Sequence, residues 1–136
     1  MLKARFEKFD VVSGGAGNTA FFYGASVSGG QSNTATGITG HFAFGASVSG
    51  GTGNRASGTD ASVCGGEDNN AIDNDSTVTG GSGNTAGSQV TFQGGIGASV
   101  SGGSNNNAGG RNTVVIGGQN IIDNNDNSIA PKAPHP

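Results

Sequence analysis

The chain has 136 residues, of which 28 are Gly, 32% are hydrophobic and 11% are charged, and its formal net charge is −3. The apolar fraction is low for a compact globular core, and the mild acidity leaves no basic footprint for nucleic acid. No stretch approaches the ~18 consecutive apolar residues of a membrane span, and residues 1–10 lack the apolar segment of a secretory signal peptide.

In chain order, residues 1–10 come first. Leu2, Phe6 and Phe9 sit at i, i+4 and i+7, a short amphipathic pattern that predicts a cap on whatever follows. From Val11 onward one phrase recurs: a small residue, Ser or Thr, Val, Ser, Gly, Gly, two variable residues, Asn, any residue, Ala. A degenerate copy spans 11–20 and full copies span 25–35, 46–56, 61–71, 76–86 and 98–108, with Cys64 in a Ser slot. A last degenerate copy spans 113–120.

The Gly-Gly pairs begin at Gly14, Gly29, Gly50, Gly65, Gly80, Gly102 and Gly117, which gives steps of 15, 21, 15, 15, 22 and 15. The unit is therefore about 15 residues with two insertions. Helical repeats need more than ~30 residues per unit, and Gly and β-branched residues are poor helix formers. Fifteen residues suit one coil of two short strands and two turns. Gly- and Asn-rich composition alone would suggest disorder, but disorder has no use for Val and Asn at a fixed phase. The predicted fold is all-β: a parallel β-solenoid (a β-roll or β-helix) of about seven 15-residue coils over residues 11–122, oligomeric, followed by a C-terminal tail at 123–136.

Side chains alternate faces along a strand. In Ser47-Val48-Ser49 the Val then points inward and both Ser outward. The inward ladder is Val27, Val48, Val63, Val78 and Val100, extended by Val12 and Val115. The outward flanking column is Ser13, Ser28, Ser49, Cys64, Thr79, Ser101 and Ile116, expected to face water or a neighbouring chain. Gly-Gly marks a corner where positive φ is expected. Three residues on, Asn33, Asn54, Asn69, Asn84 and Asn106, with Asn18, are placed to stack as a ladder bonded to the turn backbone. The Ala two residues later faces inward. One Val and one Ala per coil make a thin core, so continuous hydrogen-bond ladders and a second interface, lateral or end to end, are expected to supply the rest.

Departures from the repeat are few. Residues 38–44 form the first insertion and 87–96 the second, and Phe21-Phe22-Tyr23 adds aromatics without lengthening the period. These places hold Phe21, Phe22, Tyr23, Phe42, Phe44 and Phe92. They read either as packing over a widened coil or as an exposed interface for a ligand or another subunit. The acidic stretch 67–75 offers oxygen ligands for calcium, but it matches neither the EF-hand loop nor the nonapeptide calcium-binding repeat and reads first as a solvated turn edge. Residues 123–126 read the same way. Ile121-Ile122 is placed to cover the last coil, and the Pro-rich run from Ala130 to Pro136 cannot continue a ladder.

No Ser-His-Asp grouping, zinc spacing or phosphate loop is legible, and His41 and His135 stand alone. The chain reads as non-enzymatic, without cofactor or bound metal. Cys64 has no partner for an internal disulfide and reads as a tolerated Ser replacement.

The unit at 47–58, Ser-Val-Ser-Gly-Gly-x-x-Asn-x-Ala-x-Gly, resembles the head repeats of trimeric autotransporter adhesins, with their Ser-Val-Ala-Ile-Gly-x-x-Ser-x-Ala-x-Gly units. It resembles still more closely Gly-Gly-Asn-rich repeats of secreted bacterial proteins and phage tail-fibre tips. The resemblance spans about residues 11–120 and implies a parallel β-solenoid, often trimeric, exposed outside the cell and used for attachment. The chain departs from the adhesin heads in its period of 15 rather than 14, in Gly-Gly for Ile-Gly, and in lacking heptads for a stalk. The expected function is an extracellular or cell-surface structural or adhesive repeat protein that self-associates as a trimeric head, a fibre tip or a filament subunit. The alternative is a flat Ser/Thr face that binds a surface-type ligand, polysaccharide or ice. Expected partners are further copies of the chain and a host surface or polysaccharide.

Overall fold

The computed structural model describes residues 9–36, 44–88 and 96–131. It is a parallel β-solenoid of about seven turns with 15-residue coils. One sheet stacks β1 (Val11–Val12), β3 (Ser26–Val27), β5 (Ser47–Val48), β7 (Ser62–Val63), β9 (Thr77–Val78), β11 (Ser99–Val100), β13 (Val114–Val115) and β15 (Ile129–Ala130). The other stacks β2 (Thr19–Phe21), β4 (Thr34–Thr36), β6 (Arg55–Ala56), β8 (Asn70–Ala71), β10 (Thr85–Ala86), β12 (Asn107–Ala108) and β14 (Ile122–Asp123). All pairs are parallel and match repeat position to repeat position, as in Val48 with Val63 and Ala56 with Ala71. A third ladder of single bridges runs through Ala16, Gln31, Thr52, Glu67, Ser82, Ser104 and Gln119 just after the Gly-Gly corner.

Strands this short form because each coil is a template for the next. The two 21- and 22-residue steps leave the pairing register intact, since β3 still meets β5 and β9 still meets β11.

Val27, Val48, Val63, Val78, Val100 and Val115 are buried, as are Ala35, Ala56, Ala71, Ala86 and Ala108. The core is thicker by one column than one Val and one Ala per coil. The small residue that opens each repeat also points inward, two positions before the Val and thus on the same face. Ala25, Ala46, Ala61 and Ala98 fill that column, and Ser76, Thr113 and Ser128 replace Ala in it. Each buried hydroxyl finds an acceptor: Ser76 Oγ donates to Asp73 O at 2.6 Å, Thr113 Oγ1 to Asn125 O at 2.6 Å, and Ser128 Oγ to Asp123 Oδ2 at 2.7 Å.

The two ends differ from the sequence expectation. Val12 is 46% exposed, because no coil lies beneath it among the described residues. At the other end the ladder runs past 122. β14 and β15 pair with β12 and β13, so coiling continues to Ala130 without a further Gly-Gly. Asp123 is not a solvated edge. It takes the inward Ala position at 4% exposure and accepts from Asn125 N–H, Asn125 Nδ2 and Ser128 Oγ. Ile121 packs on the core, whereas Ile122 faces outward at 69% exposure and covers nothing. Strand alternation explains this pair, since consecutive residues cannot both point inward. The proposed cap residues Leu2 and Phe6 lie outside the described residues.

Candidate functional surfaces

The main buried polar array is the Asn ladder. Asn33, Asn54, Asn69, Asn84 and Asn106 are buried at the Gly-Gly corner. Each Nδ2 donates twice, to the carbonyl of the first Gly of its own pair and to that of the second Gly in the next coil. For Asn69 these are Gly65 O at 2.9 Å and Gly81 O at 3.0 Å. Each Oδ1 accepts from the backbone N–H of the next Asn, as Asn54 does from Asn69 and Asn69 from Asn84, both at 3.0 Å. The side chain thus stitches two coils while satisfying turn groups that the strands leave over. Asn106 Oδ1 accepts from Ile121 N–H at 2.9 Å, and there the ladder stops, because no further Gly-Gly follows to accept from an Asn. This is a structural array: every polar atom is committed within the coil stack.

One constrained position escaped the sequence reading. The second of the two variable residues, just before the ladder Asn, has positive φ in every coil: Gly17, Ser32, Gly53, Asp68, Gly83, Asn105 and Asn120. The column alternates Gly with a small polar residue over its first six coils. A Cβ on Gly53 would meet Asp68 Oδ1, and one on Gly83 would meet Asn105 Oδ1. The polar side chain of one coil lies over the bare Gly of the coil before. Gly, Asn and Asp are the residues that tolerate this backbone region best, and that preference was the available signal.

The aromatics converge. Phe21-Phe22-Tyr23 and Phe44 lie at one corner, between a strand of the second sheet and the next strand of the first. Gly45 N–H donates to Tyr23 O and Asp60 N–H to Phe44 O, so Tyr23, Phe44 and Thr59 hold one column on successive coils. The Tyr23 and Phe44 rings are 5.7 Å apart and tilted by 45°, and Phe21 meets Phe22 edge-on at 4.3 Å. Phe21 and Phe44 remain 46% and 48% exposed. Phe42 and Phe92 lie outside the described residues, as do His41 and His135.

The outward face of the first sheet carries two hydroxyl columns. One is Ser26, Ser47, Ser62, Thr77 and Ser99, and the other is the exposed flanking column Ser28, Ser49, Cys64, Thr79 and Ser101. Rungs repeat at ~4.8 Å, and the two columns stand ~6.7 Å apart along the strand. Ser62 Oγ and Thr77 Oγ1 lie 3.3 Å apart. Val114, Ile116 and Ile129 continue the face over its last rungs, with Ile116 60% and Ile129 57% exposed. Every charged side chain from Asp10 to Asp126 lies off these columns.

With these surfaces described, the chain can be set beside known proteins: no family model, no curated protein and no solved structure matches it. The β-solenoid with its Asn ladder therefore stands on the geometry of this chain alone.

The acidic stretch 67–75 is divided by the coil. Glu67 and Asp68 sit by the Gly-Gly corner, and Asp73 and Asp75 by the opposite one. Among the described residues no three His, Cys, Asp or Glu side chains come together as metal ligands, and none of their helices is long and apolar enough to cross a membrane. Burial pushes the Asp73 carboxyl above its ordinary value of 3.8, opposed by Ser88 N–H, which donates to Oδ2 at 2.7 Å. A carboxyl raised by folding holds its proton longer in the folded state. Its contribution to stability is therefore present in acid and lost as pH rises above 3.8 through the folded-state value. Asp73→Asn keeps an acceptor for Ser88 and removes this loss. Thermal melts between about pH 4 and pH 7 should show the variant gaining on the parent as pH rises. Parallel curves would contradict the assignment.

Proposed function

We propose that this chain is a non-enzymatic, extracellular or cell-surface structural and adhesive repeat protein, and that copies associate through the aromatic corner. The observation that carries the reading is the convergence of Phe21, Tyr23 and Phe44 on one edge, although they lie up to 23 positions apart in sequence. Exposed aromatic clusters on an otherwise polar surface are characteristic of association sites. The resemblance of the repeat to adhesin heads and fibre tips supports attachment as the purpose, with a trimeric head, a fibre tip or a filament subunit as the form.

The test is absolute mass in solution by light scattering after size exclusion, for the parent and for Tyr23→Ala/Phe44→Ala. The parent is expected as a multimer and the double variant as a monomer with an unchanged far-UV spectrum. A threefold mass supports the head or fibre-tip form, and a large polydisperse mass the filament. A monomeric parent, or a variant that keeps the parent's mass, sinks the reading.

A further inference from the structure

We propose that the aromatic corner is the docking site for residues 1–8 of a neighbouring copy of this chain. The proposal rests on the association reading above and names the segment that the corner receives.

The corner continues past its aromatics as an acidic edge. Gly45 N–H donates to Tyr23 O, Asp60 N–H to Phe44 O, Asp75 N–H to Thr59 O and Gly97 N–H to Asn74 O, so these residues follow one another on successive coils. Asp60 and Asp75 therefore stand on the two rungs after Phe44, and both are exposed. The Asp60 side chain lies over the bare Cα of Gly45, the residue after Phe44, since a Cβ on Gly45 would meet its Oδ1. The result is a strip of two tilted rings followed by two carboxylates. At ~4.8 Å per rung, Tyr23 to Asp75 spans ~14 Å. Such a strip suits a short peptide that is both apolar and basic, with side chains for the rings and cations for the carboxylates.

Arg55 and Arg111, the cations among the described residues, do not supply one. Arg55 faces outward on the second sheet, and Arg111 stands two rungs past Asp75 with Ile96 between them. The matching peptide is residues 1–8. It carries Lys3, Arg5 and Lys8, three of the chain's six Lys and Arg residues, beside Leu2 and Phe6. Eight extended residues reach ~26 Å, more than the strip needs. Position agrees with charge. Val11 pairs with Ser26, so Phe9 enters the stack one rung below Gly24, at the foot of this corner. Rungs rise with sequence, so the segment meets its own strip only by reversing direction. Two copies set edge to edge exchange segments without a reversal. The rings carry most of the affinity and the charges mainly select the partner, because exposed ion pairs add little each.

The test mixes isotopically light and heavy full chains by dilution and reconcentration, then joins amines to carboxylates with a carbodiimide. Cross-links from Lys3 or Lys8 of one label to Asp60 or Asp75 of the other are expected. Light scattering over a concentration series reads association in parallel. Lys3→Glu/Arg5→Glu, which leaves the described stack untouched, should weaken association about tenfold, and raised salt should weaken that of the parent. Asp60→Asn/Asp75→Asn should act like the segment variant. Both residues have positive φ, which Asn tolerates. Three results overturn the proposal. Cross-links confined to one label would place the segment on its own corner. A multimer without these cross-links, or one lost in Tyr23→Ala/Phe44→Ala but indifferent to the charge variants, would leave corner association standing without the segment. A monomeric parent would remove both readings.

Discussion

Asn69→Ala is expected to destabilise the solenoid by about 3–5 kcal/mol, a large share of the stability of a domain of this size. The change removes the acceptor of Asn84 N–H and one donor each to Gly65 O and Gly81 O. Gly81 O keeps a second donor, Glu67 N–H at 2.9 Å, but the buried Asn84 N–H loses its partner. An unsatisfied buried donor costs about 1–3 kcal/mol, and the emptied volume adds to it. Asn69→Asp is expected to be worse at neutral pH. It has the same shape and still accepts from Asn84 N–H, but it turns an acceptor oxygen, in place of Nδ2, toward the carbonyls of Gly65 and Gly81 and lacks both donors. Lowering the pH should restore part of the loss, because a protonated Asp regains one O–H donor. Thermal melts of both variants at neutral and acidic pH check this. A melting temperature within a few degrees of the parent for Asn69→Ala would show that the ladder is dispensable.

Two adjacent glycines are expected to behave oppositely. Gly66→Ala should abolish the fold or cost several kcal/mol. Gly66 has φ +88°, and a Cβ there would run into the carbonyl oxygen of Gly81 in the next coil and crowd Asn69 Nδ2 at 2.6 Å. Backbone clashes of this kind have no flexible side chain to relieve them, and each coil is the template for the next. Gly65→Ala should be nearly neutral, within about 1 kcal/mol, because its Cβ would meet nothing within 4 Å and its φ is not positive. Far-UV circular dichroism and melting of the two variants side by side provide the test. Similar losses from both would mean that the corner is set by something other than the close approach of successive coils.

The contrast between these glycines bears on how much the sequence disclosed. Gly-Gly was legible as a corner from its recurrence, but the pair reads as two equal letters. Only the stacking distance between coils separates the second Gly, pressed on the next turn, from the first, which faces open space. The alternation of Gly53 with Asp68 and of Gly83 with Asn105 was likewise in plain view in the chain. It gained meaning once successive coils were superposed, since the side chain of one sits over the bare backbone of another. The aromatic corner followed the same logic: Phe21, Tyr23 and Phe44 are scattered in sequence, and the coil period brings them to one edge.

The sequence by itself determined the period, the parallel solenoid, the inward Val and Ala columns and the Asn ladder, because a repeat that stacks must place identical residues on one another, and position within the repeat then fixes position in space. The tertiary structure decided what one repeat cannot contain. It placed the opening small residue in the core, by strand alternation past the Val. It showed that Ile121 and Asp123 take over from Asn and Ala in the last coil of the described residues. It also left the outward face of the first sheet uncharged among the described residues, whose charged side chains fall at corners and on the other strands.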